Sequence, residues 1–254
     1  MERIESVNNK TIKLTASLLK KKFRAEYGLF IAEGERLVLD AIKLCEPQYI
    51  IVSQNFHKKD FPYKTYEVPE TVFEKLSDTV TPQGILAVFK TNIKKISDIT
   101  PGDTIILNKL QDPGNLGTIL RTAVATGIKN IVLDKNCVDI YNSKTVRSSM
   151  SAIFNLNIYI SEDLENDIDF LKNNGFQVFC TALTKESKNL YSTSFLSPSA
   201  FVIGNEANGA DPEIIDKCNE KIIIPMENKI ESLNASVAGS IVMYEIYRRK
   251  KYEG

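Results

Sequence analysis

Three stretches in the second half of this chain combine glycine, asparagine and small residues with an isolated charged group. They are Gln111–Arg121 (QDPGNLGTILR), Val202–Gly209 (VIGNEANG) and Ile224–Ala238 (IPMENKIESLNASVA). The side chains there with chemical potential are Asn115, Arg121, Glu206, Ser232 and Asn234. A guanidinium steers phosphate or steadies an oxyanion, while amides and a carboxylate orient a substrate or satisfy loop backbone. Gly204 and Gly209 match the G-x-x-x-x-G frame of a phosphate loop, but Ala210 and Asp211 stand where Lys and Ser/Thr belong. Nucleoside-triphosphate chemistry is therefore excluded. No G-x-G-x-x-G follows a strand pattern and no G-x-S-x-G elbow occurs, and the single histidine, His57, lies in the other half of the chain. Dinucleotide binding and Ser-His-Asp hydrolysis fall away with them. Cys45, Cys137, Cys180 and Cys218 are scattered, with no C-x-x-C pair, so no metal site is expected and a reduced, cytoplasmic setting fits.

With 254 residues, 43% of them hydrophobic, the chain can bury one large core or two small ones. Its 32 basic residues balance 32 acidic ones, which excludes a uniformly basic protein and leaves room for local patches. Two such patches stand out: Lys10, Lys13, Lys20, Lys21, Lys22 and Arg24, with no acid among them, and Arg248–Lys251 at the end. Either is a solvated face or a phosphate contact. The amino terminus is polar and no apolar run approaches the roughly eighteen residues of a membrane span.

The loops need a scaffold, and the apolar pattern describes one. Residues 1–95 alternate strands at Phe30–Ala32, Tyr49–Val52 and Gly84–Phe89 with helices, including one amphipathic helix over Lys10–Arg24 and one at Thr71–Leu76. This predicts a small α/β domain. The polar stretch Thr91–Gly102 reads as a linker. In residues 96–254, strands are expected at Thr104–Leu107, Ile131–Leu133, Val178–Ala182, Phe201–Gly204 and Ile222–Ile224. Helices follow a turn at Asp112–Gly114, starting from Asn115 or Gly117, and occupy Asn142–Ala152, Asp163–Asn174 and the stretch from Ser232 or Asn234 onward. That order predicts a mostly parallel sheet covered on both faces, with ligands beyond the carboxyl ends of its strands. The three loops leave such ends, after Leu107, Ile203 and Ile224.

In order, spacing and residue type the three stretches resemble the signature motifs of the SpoU/TrmH family of RNA 2′-O-ribose methyltransferases, within the SPOUT superfamily. Lys20–Glu35 (KKKFRAEYGLFIAEGE) and Pro82–Phe89 (PQGILAVF) are similar to the substrate-binding domain of many members, so the resemblance covers nearly the whole chain. It implies a small α/β RNA-binding domain (1–95) before a SPOUT methyltransferase domain (96–254) whose sheet is tied in a deep trefoil knot, against the usual topology rule. It implies S-adenosylmethionine as methyl donor, at Thr181, Gly204, Ile224, Met226, Ser232 and Leu233. Arg121 matches the catalytic arginine, with Asn115, Glu206 and Asn234 at other motif positions; read from the residues alone, these three equally suit turns and caps. Lys20, Lys21, Lys22 and Arg24 fall where RNA is bound. A homodimer acting on ribosomal, large-subunit RNA, without membrane association, completes the implied picture. The alternatives are a transfer-RNA methyltransferase, a resistance enzyme acting on the ribosome, and a non-catalytic RNA-binding or ribosome-assembly protein.

Overall fold

The computed structural model describes residues 1–57, 60–195, 197–227 and 232–252. The chain divides into two compact units, Met1–Thr91 with Asp139–Phe154, and Asn92–Val138 with Asn155–Gly254.

The first unit holds β1 (Glu2–Arg3), α1 (Lys10–Ser17), α2 (Lys21–Tyr27), β2 (Leu29–Glu33), α3 (Glu35–Ala41), β3 (Tyr49–Ser53), β4 (Thr65–Val68), α4 (Glu70–Phe73) and β5 (Ile85–Lys90). Its five-stranded mixed sheet runs β1-β4-β3-β5-β2, with β5 antiparallel to both neighbours. Val, Ile and Phe of these strands bury almost completely, which is what short two-sided strands require. The single helix expected over Lys10–Arg24 is two helices, broken at Leu18–Lys20. The break has a physical cause. Leu18 and Leu19 turn into the core, and Arg24 donates from Nη1 to the Leu18 carbonyl at 2.7 Å, satisfying a group the helix end leaves open. The same guanidinium reaches Asp139 Oδ2 from Nε (3.0 Å) and Nη2 (2.6 Å). Arg24 is 5% exposed. Its expected place on the RNA-binding face is thus corrected: it is a buried structural cation, whereas Lys20, Lys21 and Lys22 are exposed.

The second unit contains β6 (Ile93–Lys94), β7 (Thr104–Leu107), α5 (Pro113–Ala125) and β8 (Asn130–Asp134). Next in the chain is α6 (Ser143–Ser149), which lies in the segment belonging to the first unit. The second unit resumes with β9 (Asn157–Ser161), α7 (Leu164–Asn173), β10 (Gln177–Thr181), β11 (Lys188–Asn189), β12 (Ser199–Ile203), α8 (Pro212–Lys217), β13 (Glu220–Ile223) and α9 (Ala235–Tyr252). The eight strands form an all-parallel sheet in the order β11-β13-β10-β12-β7-β8-β9-β6. Ile106, Val132, Tyr159, Val178 and Val202 on one face pack on α7 and α8. Three readings of the pattern differ from this. The expected linker contributes the edge strand β6, paired with β9. Asp112–Gly114 is a helix start rather than a separate turn, with Asp112 as N-cap and Pro113 in the first helical position, where its missing N–H costs nothing. The basic tail is exposed at Arg248, Lys250 and Lys251, yet three of its four cations pair within the unit. Glu245, buried, accepts from Arg248 and Arg249, and Arg249 lies over the Phe195 ring at 4.5 Å, while Lys250 pairs with Asp103 at 2.6 Å.

Arg24→Ala would leave Asp139 largely buried without its cation, and breaking such a pair costs about 3–5 kcal/mol. Chemical denaturation should show that loss for Arg24→Ala, while the exposed neighbour change Lys21→Ala leaves the midpoint essentially unmoved.

Candidate active site

Parallel strands all deliver their following loops to the same edge of a sheet, so the carboxyl ends of β10, β12 and β13, neighbours in the sheet, bring three loops together. A cleft of about 450 Å³ opens between them, a size suited to a small-molecule cofactor. Thr181, Gly204, Ile224, Met226, Ser232 and Leu233 all line it. Ala182, Ile215, Ala235 and Ala238 add apolar wall. Gly204 is there by necessity. A Cβ on it would lie 2.1 Å from both the Ala210 nitrogen and the Gly209 carbonyl carbon, so the loop can fold back only over a bare α-carbon. The fold-back is sealed by two backbone hydrogen bonds between Asn205 and Gly209, at 2.8 and 3.0 Å.

Glu206, at the tip of that loop, points to the start of α5. Its carboxylate accepts from Asn115 Nδ2 at 2.9 Å and from the backbone N–H groups of Asp112 (3.3 Å) and Gln111 (3.4 Å). A helix amino terminus presents unpaired N–H groups and positive potential, which favour an anion. Burial alone would raise the Glu206 pKa; the Asn115 amide and these backbone donors outweigh it and hold the carboxyl below its ordinary range. The chain of contacts continues into the last motif. Ser236 Oγ lies 3.1 Å from Asn115 Oδ1 and 2.7 Å from Asn234 Oδ1, with one proton to share between them. Asn234 Oδ1 also accepts from the Ser236 backbone N–H at 2.9 Å, so it caps α9. Asn115, Glu206 and Asn234 therefore belong to one hydrogen-bonded set, and their structural and positioning roles coincide.

Arg121 is not part of this set. On α5 it faces away from the buried residues Leu116, Ile119, Leu120 and Ala123 and is exposed, with no hydrogen bond or ion pair to any described residue. It does not line the cleft. Lys20, Lys21 and Lys22 lie in the first unit. Sequence reasoning passed over Ser236, which links the first and third motifs, and Asn108. The latter is fully buried just beyond β7 and donates to Asp134 (3.0 Å) and Asp211 (3.1 Å), while Asp211 N–H donates back to it at 2.8 Å. A polar residue placed directly after a buried strand was the available signal. Among the described residues no group of three or more His, Cys, Asp or Glu is placed to hold a metal ion, and no helix is long and apolar enough to cross a membrane.

A parallel sheet with a small-molecule cleft over its strand ends, flanked by a carboxylate–amide cluster, places the chain among the α/β proteins that bind small ligands at the carboxyl edge of the sheet. Comparison with known proteins makes this particular. Residues 103–244 match the SpoU rRNA Methylase family and residues 9–87 the MRM3-like substrate binding domain. Over 251 residues the chain is 32% identical to the 23S rRNA (guanosine(2553)-2′-O)-methyltransferase RlmP of Bacillus subtilis, covering 97% of this chain and 99% of that one. The rRNA methyltransferase from Sinorhizobium meliloti superposes with a TM-score of 0.86 at 28% identity over 98% of both chains. Its AdoMet-bound form gives 0.84 at the same identity and coverage. The chain belongs to the SpoU rRNA methylase family, whose members are S-adenosylmethionine-dependent RNA ribose 2′-O-methyltransferases.

Two outcomes follow from the geometry. Gly204→Ala should abolish S-adenosylmethionine binding in calorimetry, because the added methyl collides with backbone that cannot move aside. Glu206→Gln should lower the thermal midpoint at neutral pH. Since the folded-state pKa of Glu206 is depressed, its contribution is complete above the ordinary glutamate value of roughly 4.3 and is lost as pH falls through the lowered value. The gap between wild type and Glu206→Gln should therefore close on acidification; a gap independent of pH would refute the charge's role.

Proposed function

We propose that this protein methylates a ribose 2′-hydroxyl of large-subunit ribosomal RNA, with S-adenosylmethionine held in the cleft at the ends of β10, β12 and β13. The observation that carries the reading is the set Glu206–Asn115–Ser236–Asn234, which joins all three motif stretches beside that cleft. Bare Gly204 and the apolar walls fit an adenosine moiety, with backbone groups free to meet its edge. When bound, the sulfonium donor supplies an electrophilic methyl group for in-line displacement by the ribose oxygen. Glu206 is a positioning residue in this scheme. Its carboxylate is surrounded by donors and held more acidic than usual, which makes it a poor general base. Arg121 is the catalytic residue, and its role is that of a fixed cation. A guanidinium carries five N–H donors and no acceptor, so it docks the RNA phosphate and steadies the charge developing on the 2′-oxygen. The ribosomal target is supported by the family match and by the near full-length Bacillus relative that acts on 23S rRNA.

The active form in this proposal is a homodimer in which Arg121 serves the partner's cleft. Supporting this, Arg121 is exposed outside its own cleft, on a helix whose neighbour α9 presents Val237 and Tyr244 to solvent, with Val124 beside it on α5. The deep trefoil knot belongs to the same proposal. The non-sequential strand order, the crowding at Gly204 and the convergence of the loops after β12 and β13 on one cleft support it.

Methyl-label transfer to total RNA from cells lacking the protein, followed by mapping, should place the label in 23S rRNA. Label confined to transfer RNA, or none despite cofactor binding, would overturn the reading. For the dimer, Arg121→Ala and the cleft-filling Ala238→Trp should each be inactive alone. Mixed and re-equilibrated at equal amounts they should recover about a quarter of wild-type activity, since half the dimers then hold one intact site. Absence of recovery would show that Arg121 acts within its own subunit.

A further inference from the structure

We infer that α2 of the first unit carries a stacking platform for an unpaired RNA base, formed by Tyr27 with Phe23 behind it and edged by Lys20, Lys21 and Lys22. The inference rests on the reading of the protein as an RNA methyltransferase and adds to it the form of RNA that the first unit accepts. It starts from an inversion on one short helix. Arg24, the charged residue, is 5% exposed, while Tyr27, the large aromatic one, is 47% exposed. Apolar burial alone would orient α2 the other way, and an exposed aromatic beside a buried charge is the informative arrangement. The cause is local, because Arg24 is drawn inward by the Leu18 carbonyl and Asp139. The consequence is a surface.

On that surface Phe23 and Tyr27, one helical turn apart, hold their rings 13° from parallel with centroids 6.2 Å apart. Phe23 is half-buried and fixes the inner ring; the Tyr27 hydroxyl has no hydrogen bond to any described residue, so packing alone orients the outer one. Lys22 Nζ lies 5.8 Å from the Phe23 ring centroid. Lys20 and Lys21 are exposed, as are Lys10 and Lys13 on α1, against one exposed acid on α2, Glu26. Aromatic faces beside exposed cations suit a single strand, whose bases stack while its phosphates pair with lysine. A duplex offers phosphates but no free base face. The occupant is therefore a nucleotide splayed from a loop or bulge, not a helical stem. Lysines alone would not make that distinction.

The test uses the full chain, a fluorescently labelled unstructured RNA oligonucleotide and a blunt RNA duplex of equal length, with anisotropy read at several salt concentrations. Tyr27→Ala should weaken single-strand binding about tenfold, as for loss of one base stack, with the salt slope unchanged. Tyr27→Phe should bind as wild type. Lys21→Ala should instead reduce the salt slope by about 0.7, the value for one phosphate on a single strand. Duplex binding should be indifferent to Tyr27→Ala. An unchanged far-UV circular dichroism spectrum and thermal unfolding profile for each variant show that the fold is intact. The platform is overturned if Tyr27→Ala stays within twofold of wild type, or if duplex binding falls in parallel. Failure of the underlying reading is a separate result: wild-type protein that binds both RNAs but methylates none.

Discussion

Glu206 sits in a carboxylate socket, and the rest of the candidate site is arranged by what fills that socket. The side chain comes from the loop after β12, and the donors come from the first turn of α5, more than ninety residues earlier. An anion at a helix amino terminus gains from the local dipole and satisfies N–H groups that the helix leaves open. Because Asn115 gives its amide nitrogen to Glu206, its oxygen is turned toward Ser236, and through Ser236 toward Asn234. One charge thus fixes the orientation of an amide, and the amide fixes the start of α9. The bare α-carbon of Gly204 acts alongside it. Without that close approach, the loop would stand away from the sheet and Glu206 would not reach α5.

The chain spends its cations in two ways, and net charge hides the division. Arg24 and Arg249 are turned inward to Asp139 and Glu245, where they hold loops and helix ends, and the exposed Lys250 pairs with Asp103. Arg249 also donates to the carbonyls of Leu190 (3.0 Å) and Tyr191 (2.9 Å), so the last helix pins the segment that follows β11. Lys20, Lys21, Lys22 and Arg121 stay in solvent. Local positive surface on a neutral protein favours docking at a few phosphates over coating of any polyanion.

Much of the scaffold was legible because its strands are short runs of buried apolar residues. Thr104–Leu107 was read at its observed bounds, and the strands at β8, β10, β12 and β13 within one or two residues at each end. Two of the three loops expected to converge, after Ile203 and Ile224, do line the cleft, but its third wall is the loop after β10, and the loop after Leu107 reaches it only through the contact of Asn115 with Glu206. What escaped depended on partners distant in sequence. Nothing local in Lys20–Arg24 distinguishes the arginine that meets Asp139 from the lysines that do not. Strand β9 (NIYIS) is half polar and borrows its stability from β8 beside it. The segment Asp139–Phe154 packs with the first unit, which no composition shift announces. Ser236 looked like one small residue among several, and its role depends on Asn115, far back in the chain.

The same cluster bears on where catalysis comes from. Methyl transfer to a ribose hydroxyl releases a proton, and a general base works best with a pKa near the working pH. The carboxylate in the cluster is shifted the wrong way, the arginine guanidinium carries donors only, and the single histidine, His57, does not line the cleft. None of these is suited to removing a proton from a hydroxyl at neutral pH. What the site does offer is fixed geometry: a cleft closed over Gly204 and a capped helix start. A positioned cation is added if Arg121 reaches it. Holding nucleophile and donor in line is worth several orders of magnitude in rate by itself, and a fixed cation beside the forming oxyanion lowers the barrier without titrating. In the proposed reaction the proton passes to solvent as the carbon–oxygen bond forms, and the Glu206 socket contributes rigidity rather than a base.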